Sequence, residues 1–402
     1  TITNGTTAST NNSYTDSGAV YVYKRSGSTW AQEAYIKASN NNSGDYLGYS
    51  VALSGNTIAV GAYQEDSNQT TITNGTSAST DNSISSSGAV YVFTREADQW
   101  SAQAYVKASN NNGNDLFGYN VALSGDTLAV GAYNEDSNQT TITNGTTAST
   151  DNSNSASGAV YVYKRTGNEW AQEAYIKASN NNASDQFGYN VALSGDTLAV
   201  GAHAEDSNQT TITNGTTAST SNSSSDSGAV YVYKRTGSTW AQEGYIKAPN
   251  SGSGDQFGVS VAIAGDTIVV GAHGEDSSER LISNGVSAAT DNTATDSGAV
   301  YVYRNKARLF DVPEVFATAD SSSATLNWQK SGGTATTYLV VYDIGLTPPG
   351  DCGSGTLTDA GDVNTIAITG LSPDTDYAFR VCAAQDLSTY SSGMTVTVRT
   401  QP

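Results

Sequence analysis

The sequence predicts an all-β protein: a β-propeller built from 70-residue units, followed by a smaller β-sandwich. Three observations carry this. The stretch Phe117-Gly118-Tyr119-Asn120-Val121-Ala122-Leu123-Ser124-Gly125-Asp126-Thr127-Leu128-Ala129-Val130-Gly131-Ala132 returns beginning at Leu47, Phe187 and Phe257. A Gly-Ala-Val-Tyr-Val-Tyr/Phe segment begins with the same period at Gly18, Gly88, Gly158, Gly228 and Gly298. After Phe310 the repeat stops, and a segment with its own strand pattern runs to the end.

The repeated stretch reads as a β-hairpin. Val121 and Leu123, then Leu128 and Val130, place large apolar groups at period two, while Ala122, Ala129 and Gly131 fill the other face. Between them lies the tight turn Ser124-Gly125-Asp126-Thr127. Apolar atoms on both faces require cover on both sides, so each hairpin must lie between neighbouring sheets. A unit offers four antiparallel strands: a (119–124), b (127–132), c (158–164) and d (170–177). Four short twisted strands per unit, stacked face to face about an axis, make a propeller blade.

In chain order, residues 1–17 repeat a loop that recurs at 71–76, 141–146 and 211–216, so the chain enters midway through a unit. Upstream sequence removed by processing, or a fragment, accounts for that start. A c strand (18–24) and a d strand (30–37) follow, with no a or b before them. Complete units begin at Tyr49, Tyr119 and Tyr189. The last unit has a (259–264), b (267–272) and c (298–303), but its d position, Asn305 to Phe310, lacks the tryptophan of the others. Four a–b hairpins therefore stand against five c strands and four clear d strands. The N-terminal c–d hairpin can close a ring within the chain, complete a blade in another molecule, or belong to a propeller whose missing strands lie upstream.

Between b and c runs the longest loop, for example Glu135 to Ser157, with Ile142 as its single large aliphatic. Ordering its 23 residues costs on the order of 25 to 45 kcal/mol in backbone entropy. One buried isoleucine returns about 2 kcal/mol. Such a loop stays mobile or is held by hydrogen bonds, ions, glycans or packing against its own copies.

The Phe-Gly of Phe117-Gly118 and the Val-Gly-Ala of Val130-Gly131-Ala132 resemble the FG-GAP repeats of the integrin α-subunit propeller. The chain is also similar to bacterial secreted proteins whose FG-GAP units carry the segments seen here at 159–163 and 170–178. The resemblance covers residues 1–310 and implies a β-propeller of four to five blades, with an unmatched N-terminal half-blade. Residues 311–402 resemble a fibronectin type III sandwich. Trp328 sits where that fold's core tryptophan belongs, and Leu371 to Tyr377 match its tyrosine corner. Cys352 and Cys382 both fall there; an even pair in an exported domain favours a disulfide, against one loop thiol and one core thiol.

A formal net charge of -20 with only 14% charged residues gives a surface of Asn, Ser, Thr and Gly with scattered acids. Lacking clustered Lys and Arg, it does not match nucleic acid. No apolar run reaches the roughly 20 residues of a membrane span. Composition and resemblance together point to an extracellular or cell-surface protein. The integrin-type calcium loop is absent between a and b. The remaining calcium candidates are Glu65, Asp66, Glu135, Asp136, Glu205, Asp206, Glu275 and Asp276 after strand b, with Asp81, Asp151 and Asp291 later in the loop. Turn-capping or solvated carboxylates are the other reading, as for Asp45, Asp115, Asp185 and Asp255 before strand a. His203 and His273 occupy the slot of Tyr63 and Tyr133, which reads as packing. Zinc spacing, a nucleophile elbow and a phosphate loop are missing. Asn4, Asn68, Asn74, Asn138, Asn144, Asn208 and Asn214 each begin a glycan acceptor pattern. The expected function is a non-enzymatic structural or adhesive protein that self-assembles through strand complementation; a monomeric adhesin gripping a glycan or protein receptor with its loops is the competing expectation.

Overall fold

A computed structural model describes residues 2–284, 288–304, 312, 314–331, 335–353, 355–384 and 390–402. Every regular element among them is a β-strand. The chain divides into two compact units, Thr1–Tyr303 and Arg304–Pro402.

In the second repeat, strand a is Asn120–Ser124, b is Thr127–Ala132, c is Ala159–Thr166 and d is Glu169–Ile176. Gly125 closes the a–b turn with φ 55°, a left-handed conformation open to glycine. The sheets hold five strands where four were expected. Thr143–Asn144, from the b–c loop, pairs with the outer edge of d, opposite Tyr175 and Ala174. Each of the three complete sheets therefore runs a–b–c–d–edge. The first sheet has only Ile2–Asn4, Thr29–Ile36 and Val20–Ser26, in the order edge–d–c. The last has only Ser260–Ala264, Thr267–Ala272 and Ala299–Arg304, in the order a–b–c. Its d position, Asn305 to Phe310, lies outside the described residues. Each sheet is open, and the first and last share no backbone pairing among the described residues.

Successive sheets pack face to face, as the two-sided hairpin requires. Val121, Leu123, Leu128, Val130, Tyr161, Tyr163 and Trp170 of one face bury against Ala59, Val90, Val92 and Val106 of the preceding sheet. The opposite face, with Ala122, Ala129, Val160, Val162 and Ile176, receives the following sheet's aromatic side. Every sheet thus has a large aromatic face and a small-to-aliphatic face, and the two alternate through the stack. The motif glycines set the spacing. A Cβ on Gly131 would lie 2.0 Å from the Gly188 carbonyl of the next repeat, and one on Gly118 (φ +88°) 2.6 Å from the Ala89 carbonyl. Side chains there would force the repeats apart.

The b–c loop is ordered by polar bonds that sequence alone left unspecified. Asn144 Nδ2 donates to the Trp240 carbonyl at 3.2 Å, and Trp240 N donates to Asn144 Oδ1 at 2.8 Å, so each loop clamps the d strand of the next sheet. Asn4 with Trp100 and Asn74 with Trp170 repeat this clamp. Gln139 Nε2 ties the loop's turn to Thr141 O and Thr143 Oγ1, and Ile142 packs onto the core.

The C-terminal unit is a two-sheet sandwich. Val315–Ala319, Ser323–Trp328 and Thr365–Thr369 form one sheet; Thr356–Gly361, Thr337–Ile344, Asp376–Ala384 and Met394–Arg399 form the other. Trp328 is buried between them with Tyr338 and Phe379. Ser372 N donates to the Tyr377 hydroxyl at 2.9 Å, the bond expected of a tyrosine corner. Cys352 and Cys382 are joined, with an S–S distance of 2.02 Å.

Candidate functional site

The acidic positions read as calcium candidates sit in two different environments. Glu135 is buried. Its Oε2 accepts from Lys177 Nζ at 2.8 Å and Ser137 N at 3.1 Å, and its Oε1 from Asn110 Nδ2 at 3.0 Å and Tyr175 OH at 2.8 Å. Glu65 meets Lys107 at 3.0 Å and Glu205 meets Lys247 at 2.9 Å in the same way, with both partners of each pair withdrawn from solvent. Lys107 Nζ also donates to Ser87 Oγ and the Gly88 carbonyl, which uses all three of its protons. Burial pulls the lysines below their ordinary range, opposed by the neighbouring glutamates. Glu275 accepts from Asn250 Nδ2 and Ser277 Oγ.

The aspartates cap turns. Asp66, Asp136, Asp206 and Asp276 each accept a backbone N–H twenty residues on, from Ser86, Ala156, Asp226 and Asp296, at 2.7 to 2.8 Å. Asp81, Asp151 and Asp291 accept from Asn68, Asn138 and Ser278 N and from a nearby hydroxyl. These bonds hold Asp81, Asp151 and Asp291 below the usual carboxylate range. Among the described residues no group of three acidic, His or Cys side chains converges as a metal site. The glutamate oxygens accept from ammonium, amide and hydroxyl donors, and the aspartate Oδ1 atoms from backbone amides and nearby hydroxyls.

Asp115 and Asp185 are also buried, and each caps a turn through Asn112 N or Asn182 N. Burial, followed by the charge of Glu135 or Glu205, pushes both up to about 8. His203 lies 4.1 Å from the Tyr189 ring, and burial pulls it down to about 4, in keeping with a packing role. Of the glycan acceptor patterns, Asn4, Asn74 and Asn144 use both side-chain atoms in the tryptophan clamp. Asn68, Asn138 and Asn208 are exposed.

The most exposed chemistry lies at the two ends of the stack. On the first sheet Tyr21, Tyr23 and Trp30 are 50%, 55% and 64% exposed, whereas the equivalent Tyr91, Phe93 and Trp100 are buried. Tyr49, Val51 and Leu53, at the first a strand, are bare as well, although Val121 and Leu123 are buried. At the other end Val300 and Val302 are 70% and 66% exposed, in contrast to the buried Val230 and Val232. The first sheet thus shows a bare aromatic face and the last a bare aliphatic face, the two halves of the contact that recurs inside the stack. Ile212, two residues before Asn214, the counterpart of the clamp residue Asn144, is also exposed, and the d strand that would lie beside it falls outside the described residues.

The lysines of the buried pairs went unread in the sequence, and the clamp asparagines were read only as glycan acceptors. A lysine between apolar neighbours at the end of strand d, at the same place in four units of a strongly acidic chain (Lys37, Lys107, Lys177 and Lys247), was the available signal for the pairs.

Comparison with known proteins places these features. The FG-GAP repeat matches residues 30–93, 100–163, 170–233 and 240–303, and the fibronectin type III domain matches 313–397. No curated protein matches. Among solved structures, the FN5 domain of Drosophila Lar is 23% identical, over 24% of this chain and 99% of its own, with a TM-score of 0.20. The FN3 domain of human collagen XX is 18% identical, over 23% and 96%, with a TM-score of 0.18. With four tandem matches over more than half its length, the chain belongs to the FG-GAP repeat family and carries a C-terminal fibronectin type III domain.

Proposed function

We propose that this protein is a non-enzymatic, extracellular structural and adhesive protein that assembles head to tail by strand complementation. The observation carrying this reading is the mutual fit of the two open ends. The last sheet has a, b and c; the first has c, d and the edge strand. Offset by four repeat periods, Tyr21, Tyr23 and Trp30 of one copy fall where Tyr301, Tyr303 and the missing d-strand tryptophan of another belong. The exchanged c strands share the sequence Ala-Val-Tyr-Val-Tyr, at 19–23 and 299–303, so replacing one by the other costs little. Completed in this way, the blade gains a d strand whose Trp30 meets Asn214, as Trp240 meets Asn144. A propeller closed within one chain would use the same hairpin; intermolecular exchange is favoured because both ends are bare among the described residues of the single chain.

Trp30, Tyr49, Val51 and Leu53 pass from mostly exposed to buried in the assembly, which contributes about 4 to 8 kcal/mol. That is comparable with the roughly 4 to 15 kcal/mol association costs. Assembly is therefore concentration-dependent, and the family's common placement outside cells and the sandwich domain suit an adhesive polymer. Sedimentation velocity and negative-stain microscopy on the full chain and on a chain lacking residues 1–38 test this reading. Oligomers that grow with concentration and vanish with the hairpin support it; monomers in both samples overturn it.

A further inference from the structure

Along one margin of the stack, where strand a begins and strand b ends, the repeats bring tyrosines into a continuous row. Tyr49 and Tyr119 have ring centroids 5.0 Å apart, and Tyr119 and Tyr189 5.1 Å apart. Their hydroxyls bond to one another: Tyr49 OH to Tyr119 OH at 3.0 Å, and Tyr119 OH to Tyr189 OH at 3.2 Å. A second file packs between them. Tyr63 lies 4.5 Å from Tyr49, Tyr133 lies 4.5 Å from Tyr119, and His203 ends the row 4.1 Å from Tyr189. These rings differ from the core tyrosines. Tyr161 and Tyr231 are buried, with their hydroxyls tied to Asn110 and Asn180. Tyr49 is half exposed, and Tyr119 and Tyr189 are only partly covered. Three phenols from three successive repeats thus stand in hydroxyl-to-hydroxyl contact within reach of solvent.

We infer that this row is a site of oxidative modification, at which tyrosyl radical coupling links neighbouring repeats covalently through Tyr49–Tyr119 and Tyr119–Tyr189. The chemistry uses a one-electron oxidant of the peroxidase class. Each phenol gives up one electron and one proton, and the two phenoxyl radicals join at the ring carbons ortho to oxygen. Two tautomeric proton shifts then restore both aromatic rings, so one dityrosine forms for two electrons and two protons released. The hydroxyl contacts and ring centroids 5.0 and 5.1 Å apart hold neighbouring phenols side by side, and the stacked sheets keep them there, which favours coupling within one molecule. Burial raises the Tyr119 phenol above its ordinary range, so it is neutral in water and loses electron and proton together. The fourth repeat has Val259 and His273 in the two slots, which ends the row after the third.

The test oxidises the full chain at low concentration with photogenerated tris(bipyridyl)ruthenium(III), with persulfate as electron acceptor, followed by tryptic mapping of dityrosine. The expected products join peptide 38–95 to 108–164 and 108–164 to 178–234, at a yield independent of protein concentration. Tyr119→Phe eliminates both links, because its ring is a partner in each. Tyr189→Phe eliminates the second and leaves the first. Both keep their rings and so their packing, which circular dichroism checks. Tyr14→Phe, at an exposed site outside the row, leaves both links unchanged. Absence of either link in the unaltered chain, its survival in the matching phenylalanine variant, or dominant coupling through Tyr14, Tyr21 or Tyr23 would overturn the inference.

Discussion

Replacing Lys177 by Met leaves the Glu135 carboxylate buried without its counter-ion. The pair is 2.8 Å apart, and both side chains are almost wholly withdrawn from solvent. Breaking such a pair from one side costs about 3 to 5 kcal/mol, because the surviving charge keeps its desolvation penalty. Asn110, Tyr175 and the Ser137 amide still donate to Glu135, which places the loss toward the lower figure. In a repeat protein the loss falls on the unit and its neighbours, so a single global unfolding energy is the wrong observable. Native-state hydrogen exchange over Ala159–Thr166 and Glu169–Ile176 is the right one. Protection there should fall by roughly 10²- to 10³-fold, at about 1.36 kcal/mol per tenfold. The double variant Lys177→Met/Glu135→Gln should recover most of it. Lys24→Met, which removes an exposed pair with Asp98, should leave protection nearly unchanged. If Lys177→Met were as mild as Lys24→Met, the buried pairs would not be the internal straps of the repeats.

Two further outcomes follow from the same geometry. Burial raises Asp115 and Asp185 to about 8 in the folded chain, so the native chain holds protons that the unfolded chain releases near the ordinary carboxyl value of 3.8. The stability from these two groups is therefore complete below about pH 4 and is lost as pH rises toward about 8. Melting temperature followed across that window should decline more steeply in the unaltered chain than in Asp115→Asn/Asp185→Asn; equal slopes would remove these groups from the account. Chelation with EDTA should leave the melting temperature unchanged, since Glu65, Glu135 and Glu205 are already occupied by lysine. A fall of several degrees would restore calcium.

Much of the fold was legible because period and turn chemistry are local. The a–b hairpin follows from alternation around Gly125, the stack from apolar atoms on both faces, and the sandwich from Trp328 and the segment ending at Tyr377. The elements that escaped are those that only tertiary contact defines. Thr143–Asn144 is too short to show a period, and its partner Trp240 lies 96 residues away. Glu135 and Lys177 are 42 residues apart on different elements, so the glutamate looked like a free carboxylate in an acidic chain. The tyrosine row was visible as a repeated slot at Tyr49, Tyr119 and Tyr189, but the ring-to-ring contact depends on the sheet spacing that Gly131 permits. The unmatched half-unit was countable, whereas the bareness of its aromatic face required the structure.

The claim that two copies share one blade is tested most directly by cross-linking at a defined register. Thr127 pairs with Lys164 and Thr197 with Lys234. In the exchanged blade Thr267 of one copy therefore stands opposite Lys24 of the other, at a Cα separation a disulfide can span. A Thr267→Cys chain mixed with a Lys24→Cys chain under mild oxidation should give a disulfide-linked heterodimer, at a yield that rises with concentration. No heterodimer at any concentration, or a disulfide formed only inside a chain carrying both substitutions, would contradict assembly between copies.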